Sequence, residues 1–281
     1  MIVWLASYPR SGNTLLRTVL RQTMDLHSLP ERTEWQRMIR EGTPPTETDM
    51  VFGEIHPDRS WEEFYAPAKS SNEVHLVKTH EPPMDDQNAI YVVRNGRKAI
   101  YSYLKFHQSH LPQVGRDLFD LVTGHDFYGD WTSHYRAWHQ GAGNGARLVV
   151  RYEELCSATP TLLRRLAAFV GHSSEPREWN NPFATLHEQQ PDVFREGRTD
   201  WKRPAEWREE IEWLFSVYHN GLMAELGYEE EEPLDDRNLW MDWRDPTAGK
   251  ALNLLDRWNE VAPTMRRSET ETTRLRTRLM A

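Results

Sequence analysis

Four short runs, IVWLA at 2–6, VHLVK at 74–78, AIYVV at 89–93 and RLVVRY at 147–152, alternate with stretches of helical period. Runs this short, and this rich in β-branched and aromatic residues, read as buried strands rather than pieces of helix. Between them Leu15, Leu16, Val19 and Leu20 recur at helical spacing, as do Ile100, Tyr103, Leu104 and His107, and later Leu162, Leu163, Leu166 and Phe169; a further helix is expected at 131–138. Strands separated by helices run parallel, because a crossover brings the chain back to the edge it started from. The expected fold is α/β, a central parallel sheet flanked by helices on both faces. Ligands of such sheets bind outside the carboxyl ends of the strands, so the polar residues that follow each run are the ones to weigh for chemistry.

After the first run comes SYPRSGNTLLR, residues 7–17. Strand, small-residue loop and helix in that order leave the first helical N–H groups unpaired at the positive end of the helix dipole, where a phosphate or sulfate fits. Arg10, Ser11 and Thr14 add a cation and two hydroxyls, with Gly12 and Asn13 in the turn. A nucleoside-triphosphate P-loop needs G-x-x-x-x-G-K-[ST]. This stretch has one glycine, followed by Asn13 and Thr14, so its cation is differently placed. Taken alone, the loop also reads as an ordinary turn. The second run leads into Lys78-Thr79-His80 and is stopped by Pro82 and Pro83, which sets His80 just past a strand end. The third run leads into Arg94, with Ser102 inside the next helix. A guanidinium there grips a phosphate bidentately and the hydroxyl completes the pocket.

Together with FREGRTDWK at 194–202, these blocks resemble the sulfotransferases that use 3′-phosphoadenosine 5′-phosphosulfate (PAPS) as donor, in that family's order along the chain. The resemblance implies that Arg10, Ser11, Gly12, Asn13 and Thr14 form a P-loop-like loop for the 5′-phosphosulfate, and that Arg94 and Ser102 hold the 3′-phosphate. It further implies that Arg195 and Gly197 lie in a loop closing over the 3′-phosphate and that Phe183 faces the adenine. Arg10 stands where the family often has Lys, and Glu196 where a Lys is usual; a carboxylate cannot pair with phosphate, so only backbone helps there. By the same resemblance Arg10 and Lys78 are the catalytic cations at the departing bridge oxygen, and His80 is the general base for the acceptor. Cations so placed stabilise the charge that develops, and an imidazole near its ordinary pKa suits a base at neutral pH. The implied activity is transfer of a sulfonate from PAPS to a hydroxyl or amine of a small molecule.

The 281 residues suffice for one large domain; residues 1–234 are expected to form the sulfotransferase domain and 235–281 a C-terminal helical extension of it. A net charge of -9 argues against a general nucleic-acid or membrane binder. No apolar run approaches the ~18 residues of a membrane span. The single cysteine, Cys156, excludes an internal disulfide framework and fits a reducing compartment, so a cytoplasmic protein is expected. No metal is expected, since His56, His75, His107 and His110 show no metal spacing with a carboxylate. The expected partner is a small-molecule acceptor of aromatic or hydrophobic character; a homodimer is left open. Two other readings stand beside this one: a P-loop-like nucleotide or small-molecule kinase, which shares the sheet, and an adenine-nucleotide sensor, which leaves Lys78 and His80 without a task. Residues 30–71 and 108–130 are expected to form the acceptor pocket, where Trp35, Trp61, Phe64, Tyr65, Phe127, Tyr128 and Trp131 either line a wall or fill the core.

Overall fold

A computed structural model describes residues 1–42, 58–140, 145–182, 188 and 202–228. The chain divides into two compact units, Met1–Lys202 and Arg203–Ala281. In the first, β1 (Ile2–Ser7), β2 (Ser28–Leu29), β3 (His75–Thr79), β4 (Asn88–Val93) and β5 (Arg147–Arg151) form a sheet in the order β2-β3-β1-β4-β5. Every described pairing is parallel. The helices are α1 (Asn13–Met24), α2 (Arg32–Glu41), α3 (Trp61–Ser70), α4 (Gly96–His110), α5 (Leu118–Thr123), α6 (Trp131–Gln140), α7 (Tyr152–Ser157) and α8 (Pro160–Phe169). The central parallel sheet is the one the sequence pattern predicts. The element it lacks is β2, whose two residues pair with Leu76 and Val77 of β3 and are too few to carry a period. Tyr152 opens α7 instead of closing the fourth strand, because the Arg151 backbone N–H turns to Glu154 Oε2 at 2.9 Å.

The period of two along each strand sorts the core into two layers. Val3 and Leu5 of β1, Ile90 and Val92 of β4 and Val150 of β5 face an aliphatic layer built with Leu15, Leu16, Val19 and Leu20 of α1 and Leu162, Leu163 and Leu166 of α8. On the opposite face Trp4 stacks on Trp61 at 6.3 Å, Trp61 meets Trp35 edge-on at 5.5 Å, and Trp35 stacks on Phe64 at 4.7 Å. Tyr91 of β4 packs there against Tyr135 and Trp138 of α6. Each such side chain contributes roughly 1.5–3 kcal/mol by leaving water. This layer settles most of the aromatic question. Trp35, Trp61, Phe64 and Trp131 are buried in the core, whereas Phe127 is 66% exposed.

In the second unit α9 spans Glu209–Glu225, and just ahead of it the Trp207 N–H closes a turn on Pro204 O at 2.9 Å. The Trp207 indole N–H donates to Glu212 Oε2 at 2.7 Å. No helix among the described residues is long and apolar enough to cross a membrane.

Candidate functional site

The carboxyl ends of three strands lie side by side, Ala6 of β1 being paired with both Thr79 of β3 and Tyr91 of β4. The chain leaves β1 through α1 for β2 on one side and leaves β4 through α4 for β5 on the other. The connections therefore part between β1 and β4, where open α/β sheets hold ligands. Residues 8–12 form the loop there. Its turn is closed by the Ser11 N–H on Tyr8 O at 3.2 Å, and α1 begins with the Leu16 N–H on Gly12 O at 3.0 Å. The N–H groups just ahead of that bond are the ones a helix leaves without backbone partners. Asn13 Nδ2 donates to Leu5 O at 2.7 Å, so its side chain staples helix to strand. Thr14 sits in the first turn, where its carbonyl accepts from Thr18 Oγ1 at 2.9 Å.

Two backbone torsions in this loop are unusual: Arg10 has φ 62° and Gly12 φ 110°. A left-handed residue other than glycine costs of order 1 kcal/mol or more and persists where its surroundings impose it. At Gly12 a Cβ would lie 2.6 Å from Tyr152 Cδ2, so both torsion and space exclude a side chain. Arg10 Nε donates to Ser102 Oγ at 3.4 Å, and its guanidinium lies 5.5 Å from the Phe106 ring centroid. Arg94 Nη1 donates to Arg10 O at 3.2 Å while its guanidinium covers the Tyr152 ring at 4.3 Å. The structure thus brings Arg10, Arg94 and Ser102 together around the loop. Ser11 Oγ and Arg94 Nε are buried with no hydrogen-bond partner among the described residues. Buried polar atoms in that state are costly unless a ligand satisfies them, and a hydroxyl and a guanidinium N–H are what a phosphate or sulfate oxygen satisfies.

At the end of β3, Lys78 Nζ lies 2.7 Å from Glu34 Oε2 and 3.8 Å from Glu31 Oε1. Burial works to raise the Glu34 pKa, but pairing with Lys78, together with the nearby charges of Arg17 and Arg37, outweighs it and holds the carboxyl below its ordinary value. Glu31, itself buried, also accepts the His80 backbone N–H at 2.8 Å. The His80 ring turns Nδ1 to Ser7, 2.8 Å from its carbonyl oxygen and 3.3 Å from its hydroxyl. A carbonyl only accepts, so Nδ1 carries the proton and Nε2 keeps its lone pair. Burial depresses the His80 pKa more than neighbouring Glu31 raises it, which favours the neutral ring. The Tyr128 ring meets His80 edge-on at 5.8 Å.

Phe183, Arg195, Glu196 and Gly197 lie outside the described residues, as does the extension at 235–281. Among the described residues there is no group of three His, Cys, Asp or Glu side chains placed to hold a metal. Sequence reasoning missed Ser7, Glu31, Glu34 and Tyr152. Ser7 and Tyr152 had a signal, since each stands where a strand gives way to the next element. Glu31 and Glu34 had none, because acidic residues in a polar, proline-dotted stretch look like solvated surface.

Sheet, loop and the two arginines beside it define an α/β protein with a candidate anion cradle at its switch point. Residues 2–190 match the sulfotransferase domain family, and the chain belongs to that family. Sulfotransferase 4A1 of Mus musculus is 24% identical over 203 residues, covering 66% of this chain and 65% of that protein. Sulfotransferase 2A1 of Homo sapiens is 23% identical over 193 residues, covering 63% and 62%. The 3-alpha-hydroxysteroid sulfotransferase of Cavia porcellus is 29% identical over 94 residues, 32% of this chain and 33% of that one. The chain thus matches 65% or less of the length of these relatives. In fold it resembles the crystal structure of mouse sulfotransferase SULT7A1 complexed with PAP, at a TM-score of 0.51 and 17% identity over 79% of this chain and 83% of that one.

Proposed function

We propose that this protein transfers a sulfonate from PAPS to a hydroxyl or amine of a small molecule, with His80 as general base. The observation that carries the reading is the Ser7 carbonyl 2.8 Å from His80 Nδ1, which leaves the Nε2 lone pair of the neutral ring to take a proton. Bound there, the donor supplies the sulfonate that passes to the acceptor. The loop N–H groups with Arg10, Ser11 and Thr14 hold its 5′ end; Arg94 and Ser102 hold the 3′-phosphate. Arg195 and Gly197 are assigned to the same phosphate and Phe183 to the adenine. His80 Nε2 takes the acceptor's proton while Nδ1–H stays on Ser7 O, and Arg10 and Lys78 meet the charge left on the departing oxygen. Exposed Phe127 and edge-on Tyr128 suit an apolar or aromatic acceptor, in keeping with the hydroxysteroid in the name of one relative. The reading takes the protein as cytoplasmic.

The test is incubation with sulfur-labelled PAPS and a panel of phenols, hydroxysteroids and amines. Labelled product is expected, and His80→Ala should lower kcat by ~10²-fold or more while binding of the product nucleotide PAP stays near wild type. Turnover of a nucleoside triphosphate without sulfonate transfer would replace this reading with a kinase. Binding of PAP without any transfer would leave a nucleotide sensor.

A further inference from the structure

The carbonyl of His80 is held from behind by a histidine to which the reaction gives no task. His134, on α6, has Nε2 at 2.9 Å from His80 O, and its Nδ1 lies 2.8 Å from the Tyr91 hydroxyl. The carbonyl can only accept, so His134 Nε2 carries the proton, Nδ1 has a lone pair, and the Tyr91 O–H donates to it. Hydrogen bonds therefore run one way, from Tyr91 through His134 to the His80 backbone. His134 is 2% exposed and Tyr91 1%, and the rings of Tyr8 and Tyr91 each lie 5.8 Å from the imidazole. Burial pushes the His134 pKa down to about 4, so the ring is neutral wherever the enzyme would work. With Glu31 on its N–H, Ser7 on Nδ1 and His134 on its carbonyl, His80 is fixed at three polar groups.

We propose that His134, oriented by Tyr91, is a positioning residue that fixes the His80 backbone so that Nδ1 meets Ser7 O and Nε2 faces the acceptor. The proposal rests on the assignment of His80 as base. A histidine at the end of a strand is free to rotate its peptide unless both sides are held. A reacting group misplaced by about 1 Å can cost about 10²-fold in rate.

The experiment uses the full chain as wild type, Tyr91→Phe, His134→Gln and His134→Leu, with steady-state kinetics, PAP binding, thermal melts and ¹⁵N NMR of the imidazoles. In His134→Leu, kcat falls about 10- to 100-fold while KM for both substrates and PAP affinity stay near wild type. Gln, which keeps an N–H donor near Nε2, recovers most of the rate. Tyr91→Phe, which removes one oxygen and preserves the ring, lowers kcat in the wild-type background and adds nothing to His134→Leu. NMR of the wild type, which needs no turnover, shows His80 protonated at Nδ1 and His134 at Nε2; in His134→Leu, His80 loses its Nδ1 preference. Wild-type kcat in His134→Leu and Tyr91→Phe, or an unaltered His80 tautomer in His134→Leu, overturns the proposal. So does a parallel loss of kcat, PAP affinity and melting temperature in both variants, which marks a purely structural role. Expected tautomers in a protein without sulfonate transfer would sink the functional reading and leave the fixing of His80 standing.

Discussion

Position 12 admits no side chain for two independent reasons, its φ of 110° and the Tyr152 ring 2.6 Å from where a Cβ would lie. Gly12→Ala should therefore cost roughly 1–3 kcal/mol of stability and most of the PAP affinity, read by denaturant melts and calorimetry. Full binding at an unchanged midpoint would mean that the loop and Tyr152 give way easily. Arg94 serves both the loop, through Arg10 O, and the face of Tyr152. If its task is the 3′-phosphate, Arg94→Ala weakens PAPS by at least about tenfold and hardly alters adenosine 5′-phosphosulfate, so the two donors converge. Equal weakening toward both would assign Arg94 to loop support. At this scale residue type and neighbours made Arg10, Arg94 and His80 candidates. The Nδ1 tautomer of His80 was not legible, because its partner Ser7 lies far from it in sequence and meets it only through the pairing of β1 with β3.

Elements with a strong period were legible, and those without one were not. The buried strands and α1, α4 and α8 follow from apolar spacing, whereas β2 is two residues long and no window reads it. Helix α6 was visible through Trp131 and Trp138, yet nothing in the sequence separates His134 from a packing histidine on an apolar face. That histidine makes an element-level prediction. Its pKa falls from the ordinary 6.5 to about 4, chiefly by burial, so in that interval the unfolded chain binds a proton that the folded chain refuses. Its stabilising contribution is complete above about 6.5 and is lost as pH falls toward about 4, by about 3 kcal/mol at about 1.4 kcal/mol per pH unit. Burial drives His80 the same way. Urea midpoints between neutral pH and pH 4.5 should fall steeply for wild type and less steeply for His134→Gln. Parallel slopes would show that His134 takes up its proton in the folded state.

For the whole molecule, a net charge of -9 must be reconciled with an anionic donor. In the proposed reading Arg10 and Arg94 do so locally, whereas Lys78 is paired with Glu34 until the donor binds; if protein cations do the work at the departing oxygen, the rate is indifferent to EDTA. A loss of rate that magnesium restores would point to nucleotide kinase chemistry. Strand order was the least legible property, since periodicity says that a run is a strand but not which runs become neighbours. The order has a kinetic cost. Strand β1 lies between β3 and β4, with Ile2 opposite His75 and Val3 opposite Asn88, so a fully buried strand is synthesised before both of its partners and must wait for them. Until they arrive, an apolar hexapeptide with unpaired edges is open to other chains. Refolding from denaturant should accordingly be slow, with a yield that drops as protein concentration rises. On the ribosome, the same wait makes β1 a natural client for a chaperone.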